Sequence, residues 1–213
     1  MSYLRSFKGD AMTRRFPGKL EVICGSMFSG KTEELMLRLR RAEFARKKVV
    51  TIKHKIDNRK SFSCIVSHNG VKREAFPLTG CEEGVKTLHQ IVDEQVDVVG
   101  IDEIQFFPAE AIPVLMELVK GGKRVIVAGL DMDFKGEPFG IVPQLMAMAD
   151  EVVKLRAICM VCGDDANHTQ RLIDGQPASY YDQLILVGGE ECYEPRCRKC
   201  YEIDRKAYAE VGC

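Results

Sequence analysis

Short apolar runs and amphipathic segments alternate along most of the chain. The apolar runs are rich in β-branched residues, whereas the segments between them carry apolar residues at a spacing of three or four. The runs predict strands at residues 20–24, 49–53, 96–101, 124–130 and 151–155. The amphipathic segments predict helices at residues 32–47, 82–94, about 108–119 and 141–149. Continuous apolar strands separated by helices are typical of a parallel sheet covered on both faces, which binds ligands at the carboxyl ends of its strands.

Three parts of the chain depart from this alternation. Residues 1–19 are polar and basic, so we expect a poorly ordered leader. Residues 54–79 are polar and contain turn signals, with room for a short strand near Cys64–Val66. After about residue 157 the alternation stops and cysteines become frequent. The predicted organisation is a leader at 1–19, an α/β nucleotide-binding domain at 20–157 and a small domain at 158–213.

A glycine-rich loop joins the first predicted strand to the first predicted helix. It matches G-x-x-x-x-G-K-[ST], and its residues are Gly25, Ser26, Met27, Phe28, Ser29, Gly30, Lys31 and Thr32. In this context the backbone N–H groups and the helix dipole bind phosphate, Lys31 reaches the β- and γ-phosphates, and the Thr32 hydroxyl ligates Mg²⁺. The loop therefore predicts binding of a nucleoside triphosphate with Mg²⁺.

Two adjacent carboxylates follow the predicted strand at 96–101. Asp102 fits the residue that holds Mg²⁺, directly or through water. Glu103 is the candidate general base, since a carboxylate beside the γ-phosphate can take a proton from an attacking hydroxyl. Ile104 and Gln105 come next and complete the predicted phosphate-site segment.

Composition narrows the class of protein. Lys and Arg total 31 and Asp and Glu total 31, so the net charge is zero and no basic excess favours nucleic acid as the main partner. No apolar run reaches the roughly 18 residues of a membrane span, and the N-terminus lacks the apolar segment of a secretory signal. We expect a cytoplasmic enzyme.

Cysteines are concentrated in the last quarter of the chain. Cys159-x-x-Cys162 and Cys197-x-x-Cys200 have the spacing of paired zinc ligands, and two such pairs supply the four thiolates of a closed structural site. The metal would clamp the base of a long loop. A redox role or free thiols is the alternative, although neither pair begins a thioredoxin-like helix. Cys192 and His168 are rival ligands inside the loop, and we interpret them as an apolar contact and a polar loop group.

The candidate functions that remain differ in which molecule accepts the phosphoryl group. If water is the acceptor, the protein is an ATPase, and Asp-Glu-x-Gln also occurs in helicases. Those motors need two α/β lobes, and this chain has room for one. The sequence contains no Asn-Lys-x-Asp motif, which counts against a GTPase. A zinc-dependent binding module without catalysis is disfavoured by the intact Lys31, Thr32, Asp102 and Glu103. A small-molecule kinase fits better.

The ordered set of motifs resembles the type II thymidine kinases, the zinc-containing family of bacteria and of the animal cytosol. The motifs are Gly-Ser-Met-Phe-Ser-Gly-Lys-Thr, Asp-Glu-Ile-Gln-Phe-Phe, the Gly-Leu-Asp-Met-Asp-Phe of residues 129–134, and the two Cys-x-x-Cys pairs. The resemblance covers about residues 18–208. It implies transfer of phosphate from ATP with Mg²⁺ to the 5′-hydroxyl of thymidine, and usually deoxyuridine, in nucleotide salvage for DNA synthesis. It also implies a homotetramer inhibited by thymidine triphosphate, with no nucleic-acid or membrane partner.

The resemblance also assigns an acceptor pocket. Met27 would lie against the substrate, and Phe106 and Phe134 would wall the thymine pocket. The clamped loop would be the family's lasso, in which the backbone of Leu186, Val187, Gly188 and Gly189 follows the base and Tyr193 reaches the 3′-hydroxyl.

Three positions qualify the resemblance. Arg59, in the Asp57-Asn58-Arg59 segment, matches a family position near the acceptor, although a solvated loop arginine is equally consistent with the sequence. Asn69 replaces the more usual Asp. Cys200 stands where many bacterial relatives could carry His, which leaves a four-thiolate site.

Overall fold

The computed structural model describes residues 18–56, 64–66, 70–186 and 192–205. Thirteen strands lie in this part of the chain: β1 Lys19–Gly25, β2 Val49–His54, β3 Cys64–Val66, β4 Lys72–Glu74, β5 Phe76–Leu78, β6 Val98–Asp102, β7 Arg124–Gly129, β8 Glu151–Leu155, β9 Ala157–Ile158, β10 Asp165–Ala166, β11 His168–Ile173, β12 Gln176–Pro177 and β13 Tyr193–Arg196. The helices are α1 Lys31–Phe44, α2 Glu82–Ile91, α3 Ala111–Lys120 and α4 Val142–Met148, with a 3₁₀ turn at Ile104–Phe106.

Six strands form one parallel sheet in the order β5-β2-β6-β7-β1-β8. Helices α2, α3 and α4 pack on one face, where Val85, Leu115 and Leu145 belong to the larger hydrophobic cluster. Helix α1 covers the other face through Leu35 and Leu39. The predicted parallel sheet with helices on both faces is confirmed.

All nine elements predicted for the α/β part are present, with ends displaced by up to three residues. Helix α1 ends at Phe44 instead of residue 47, because the chain turns at Arg46, which has a φ of 59°. The short strand expected near residues 64–66 is β3, which pairs with β4 in an antiparallel hairpin. Strand β1 begins at Lys19, and residues 1–17 of the predicted leader lie outside the described residues.

Two features were not predicted. Strand β5 contains Pro77 and forms the edge of the sheet beside β2. A proline is tolerated there because it has no N–H to donate, and one side of an edge strand makes no hydrogen bonds to a neighbouring strand. The cysteine-rich segment, expected as a loop, contains short antiparallel strands, including a sheet of order β12-β11-β13. Within the described residues, no helix has the length and apolar character needed to cross a membrane.

A buried carboxylate forms ion pairs with two arginines at the amino-terminal end of the sheet. Glu21 on β1 is 1% exposed and accepts hydrogen bonds from Arg124 Nε at 2.7 Å, Arg124 Nη2 at 2.9 Å and Arg38 Nη1 at 2.6 Å. Arg38 also binds Glu151 on β8. Burial raises the pKa of Glu21, but the hydrogen bonds from Arg124 and Arg38 outweigh it and lower the pKa to about 2. This network joins α1, β1, β7 and β8.

We expect Glu21→Gln to destabilise the protein at pH 7, because it leaves two partly buried guanidinium groups without their shared anion. The pKa of Glu21 falls from 4.5 to about 2 on folding, so ionisation of this group supplies roughly 3 kcal/mol above pH 4.5. This contribution is lost as the pH falls from 4.5 through 2. Urea unfolding of both proteins at several pH values measures it. Glu43→Gln, which breaks an exposed pair with Arg73, is the control. A stability difference between wild type and Glu21→Gln that stays constant from pH 7 to pH 3 would contradict the assignment.

Candidate active site

The glycine-rich loop leaves β1 at Gly25 and enters α1 at Lys31. Gly25 has a φ of 141°, and a Cβ there would lie 2.4 Å from the carbonyl oxygen of Leu155 on β8. Gly30 and Phe28 also have positive φ values, 84° and 64°. These dihedrals curl the loop around the N-terminus of α1, where backbone N–H groups and the helix dipole favour an anion. The loop is therefore shaped as the sequence motif predicts.

Inside the loop, one carbonyl oxygen accepts two hydrogen bonds. The Lys31 ammonium donates to the carbonyl oxygen of Ser26 at 2.7 Å, and the Ser29 hydroxyl donates to the same oxygen at 2.8 Å. Burial lowers the pKa of Lys31, and the negative charges of Glu103, Asp102 and Asp131 oppose that shift. A bound phosphate would give this ammonium a stronger anionic partner.

A hydroxyl and a carboxylate meet beside the loop. Thr32, at the start of α1, donates through Oγ1 to Oδ2 of Asp102 at 3.0 Å. Asp102 is the last residue of β6, which is separated from β1 by β7. The sheet order therefore brings together the two residues predicted to hold Mg²⁺. Both offer oxygen ligands, the kind that this ion prefers.

Glu103 follows Asp102 in a left-handed conformation, with a φ of 56°. Its carboxylate accepts a hydrogen bond of 2.5 Å from Nε2 of Gln105. Gln105 is 3% exposed, and its Oε1 accepts from the backbone N–H of Leu130 at 3.1 Å. The amide of Gln105 thus fixes the carboxylate of Glu103 relative to the end of β7. Ile104 is fully buried in the hydrophobic core.

A further charged pair lies at the same edge of the sheet. Asp131, just beyond β7, is 6% exposed and pairs through Oδ2 with Lys154 Nζ of β8 at 2.5 Å. The sequence did not predict this pair: Asp131 lies in the Gly-Leu-Asp-Met-Asp-Phe motif of residues 129–134, but Lys154 lies in no motif. The negative charge of Asp131 acts on Lys31 and so forms part of the electrostatics of the loop.

Two aromatic groups flank the loop and Glu103. Phe134 is buried with Tyr193 and Ala178, and Met27 packs against this cluster. Phe106 lies in a separate group, with ring centroids 5.6 Å from His54 and 5.7 Å from Phe139. Three of the predicted pocket residues, Met27, Phe134 and Tyr193, therefore meet in one place.

The hydroxyl of Tyr193 is bonded within the protein. It donates to the carbonyl oxygen of Leu186 at 2.8 Å and accepts from Arg171 Nε at 3.1 Å and Nη2 at 2.9 Å. Leu186 itself is partly exposed. The predicted pocket residues Val187, Gly188 and Gly189 lie outside the described residues, as do Asp57, Asn58, Arg59 and Asn69.

The four predicted metal ligands converge. The sulfur atoms of Cys159, Cys162, Cys197 and Cys200 lie within 4.8 Å of one another. The sulfurs of Cys162 and Cys197 are 3.6 Å apart, close to the ~3.8 Å edge of a tetrahedron with metal–sulfur bonds of about 2.3 Å. Among the described residues, these four cysteines form the one group of cysteine, histidine or carboxylate side chains that is placed to hold a metal ion. The geometry confirms that these cysteines are positioned as ligands.

Backbone donors lower the pKa of Cys159 and Cys197, whereas hydrogen bonds from neighbouring thiols raise the pKa of Cys162 and Cys200. Burial raises the pKa of Cys159, but the N–H groups of Cys197, Cys162 and Val161 outweigh it and lower the pKa to about 6. The thiolate is the form that binds metal. The rival ligands lie elsewhere: Cys192 packs against the Phe134 cluster, and His168 stacks on Tyr201 with a centroid distance of 4.6 Å.

The cysteine cluster packs directly against the glycine-rich loop. Phe28 contacts the small hydrophobic cluster that contains Cys159 and Cys197. The backbone N–H of Met27 donates to Oγ1 of Thr169 on β11 at 3.0 Å. Thr169 and Arg171 were missed by the sequence analysis, because the run His-Thr-Gln-Arg carries no recognisable motif.

Comparison with known proteins gives one family and several partial structural likenesses. A protein-family model described as thymidine kinase matches residues 18–201. Among solved structures, the chain is similar to the genome packaging NTPase B204 of Sulfolobus turreted icosahedral virus 2 in complex with ATP-gammaS. Identity is 13% and the TM-score 0.46, over 66% of this chain and 76% of that one. It is also similar to AMPPCP-bound DnaA of Aquifex aeolicus, with 16% identity and a TM-score of 0.38, over 66% of this chain and 40% of that one.

Proposed function

The chain belongs to the thymidine kinase family, and we propose that it transfers the γ-phosphoryl group of ATP to the 5′-hydroxyl of thymidine. Family membership identifies a kinase that phosphorylates thymidine. The family match over residues 18–201 is the observation that carries the proposal. It is supported by the meeting of the phosphate loop, Asp102 and Glu103 at one edge of the sheet.

On the donor side, the loop from Gly25 to Thr32 binds the phosphates through its N–H groups. Lys31 moves its ammonium from the carbonyl oxygen of Ser26 to the β- and γ-phosphates, which remain its partners during transfer. Thr32 and Asp102 would hold Mg²⁺, which would supply positive charge to the phosphates.

On the acceptor side, Glu103 takes the proton of the 5′-hydroxyl. The 5′-oxygen forms a bond to the γ-phosphorus, the bond to the β–γ bridging oxygen breaks, and ADP leaves with that electron pair. Gln105 contributes by holding the carboxylate of Glu103 in one orientation. A base that is already oriented loses little entropy in the transition state.

The thymine pocket combines the cluster around Phe134 with the lasso. Met27, Phe134 and Tyr193 supply packing surface, and their shared buried cluster supports this assignment. Phe106 approaches from the side of Glu103. The backbone of Leu186, Val187, Gly188 and Gly189 reads the edge of the base, and Tyr193 contacts the 3′-hydroxyl.

The metal at the cysteine cluster is zinc, and its role is structural. Four thiolates would fill the four coordination positions of zinc and would leave none for water or a phosphoryl oxygen. The ion joins the segments at both ends of the lasso, since Cys159 follows β9 and Cys197 follows β13. We also propose residues 158–213 as a distinct zinc-binding domain.

The remaining family properties complete the proposal. Deoxyuridine is a second acceptor, thymidine triphosphate is a feedback inhibitor, and the enzyme is a cytoplasmic homotetramer in nucleotide salvage. Sedimentation measures the oligomer, and inhibition by added thymidine triphosphate measures the feedback.

Release of ADP from ATP tests the function directly. We expect release to require thymidine and Mg²⁺ and to yield thymidine monophosphate. The same assay with DNA or RNA in place of thymidine is the control. Release that responds to nucleic acid and not to thymidine would replace the kinase with a P-loop motor.

Glu103→Gln should lower kcat by about 10²–10⁴-fold while ATP affinity is nearly unchanged, because the amide cannot accept the proton. Steady-state kinetics with thymidine and titration with ATP measure the two quantities. Glu117→Gln, on the exposed face of α3, is the matched control and should resemble wild type. A variant whose KM rises while kcat is unchanged would make Glu103 a binding residue instead.

Cys162→Ser should reduce the metal content from about one zinc per chain, lower the melting temperature and weaken thymidine binding, because the lasso loses its clamp. ATP binding should change less. Metal analysis and titration with each ligand measure these effects, and Cys81→Ser, a change at an exposed thiol, is the control. Zinc-free wild type with full thymidine affinity would show that the metal does not serve the lasso.

A further inference from the structure

A buried arginine lies between the two domains. Arg171 on β11 is among the side chains that are less than 2% exposed. Its guanidinium carbon lies 4.2 Å from the ring centroid of Phe134 and 5.4 Å from that of Tyr193. Its Nη1 donates to the carbonyl oxygen of Gln183 at 2.5 Å. One side chain thus contacts the end of the α/β core, strand β13 and the segment that leads into residues 187–191.

The partners of Arg171 are neutral. Within the part of the chain that the structure describes, its hydrogen bonds go to the Tyr193 hydroxyl and the Gln183 carbonyl, and no carboxylate forms an ion pair with it. Burial of a charge is costly, and exchange of buried charged groups for apolar ones of similar volume is often neutral or stabilising. Packing alone therefore does not explain an arginine at this position.

The geometry restricts what Tyr193 can do. Arg171 and Tyr193 are directly opposite each other in the antiparallel pair β11–β13. Nε and Nη2 both donate to the phenolic oxygen, which has two lone pairs. With these occupied, the hydroxyl can act only as a donor, and in this structure it donates to Leu186. A ligand atom that replaces the Leu186 carbonyl must therefore accept a hydrogen bond.

We propose that Arg171 is a positioning residue of the acceptor pocket, which orients the Tyr193 hydroxyl as a hydrogen-bond donor and anchors the backbone around residues 183–186. The inference rests on the proposed function, in which Tyr193 contacts the nucleoside 3′-hydroxyl. The pocket then selects a sugar that carries a hydrogen-bond acceptor at the 3′-position. Lysine cannot substitute, because it lacks the planar fork that stacks on Phe134 and donates twice to one oxygen.

The test compares Arg171→Met, Arg171→Lys, Tyr193→Phe and the double variant Arg171→Met/Tyr193→Phe. KM and kcat are measured with thymidine and with 3′-deoxythymidine, together with the melting temperature. Arg156→Met, a change at an exposed arginine, is the control and should behave as wild type.

We expect Arg171→Met to raise the KM for thymidine about tenfold or more, the worth of a charged hydrogen bond, while kcat changes little. The preference for thymidine over 3′-deoxythymidine should shrink, and the melting temperature should not fall. Arg171→Lys should show the same loss of preference. The double variant should be no worse than the more impaired single variant, because the two residues act through one hydroxyl.

Unchanged KM and unchanged preference in Arg171→Met would overturn the proposal, as would additive effects of the two single changes. If Arg171→Met does not fold, Arg171→Lys with and without Tyr193→Phe decides by the same criteria. Wild type that shows no thymidine-dependent ADP release would instead refute the proposed function, so the two failures are distinguishable.

Discussion

Parallel pairing of β1 with both β7 and β8 is the constraint on which the rest of the structure depends. It places the phosphate loop in the interior of the sheet, with Leu155 so close to Gly25 that a side chain there would clash with the backbone. The carboxyl ends of the neighbouring strands then deliver Asp102, Asp131 and Lys154 to the same edge. The sheet therefore brings the glycine-rich loop of residues 25–32 next to the Asp102–Glu103 pair, although Thr32 and Asp102 are 70 residues apart in sequence.

The C-terminal segment depends on this edge in turn. Its hydrophobic clusters are small, and each includes residues of the phosphate loop. A segment of this size buries little apolar surface by itself, so its contacts with the α/β core contribute to its stability. The hydrogen bond from Met27 to Thr169 and the packing of Phe28 against the cysteine cluster are two such contacts. The C-terminal segment therefore contacts the glycine-rich loop at both Met27 and Phe28.

Buried charges in this protein serve two different purposes. Glu21 is surrounded by cations, which compensate its desolvation and join four elements at the end of the sheet remote from the phosphate loop. Arg171, by contrast, has neutral partners, which do not compensate its desolvation as an ion pair would. The first arrangement stabilises the fold. The second, at Arg171, lowers stability, and we interpret it as a consequence of orienting the Tyr193 hydroxyl in the proposed pocket.

Local pattern and motif were enough to predict the nine elements of the α/β part, the phosphate loop, Asp102, Glu103 and the four cysteines. Each of these is encoded by neighbouring residues: apolar periodicity, glycines at fixed offsets, or paired Cys-x-x-Cys. The sequence also indicated the family, through the order of its motifs. Strand β5 was missed because Pro77 weakens the strand signal, and β9, β10, β12 and β13 were missed because each is short. Strand β11 has six residues, but its polar run from His168 to Arg171 lacks the apolar pattern of a strand.

Only the tertiary structure decided how side chains distant in sequence pair with one another. Gln105 reaches Leu130, Met27 meets Thr169, and Arg171 meets Phe134, because the sheet order and the packing of the C-terminal strands bring their elements together. Such contacts depend on loop closure over tens of residues or more, and local periodicity carries no information about them. The sequence by itself determined which chemical groups this protein has; the fold determined which of them face each other.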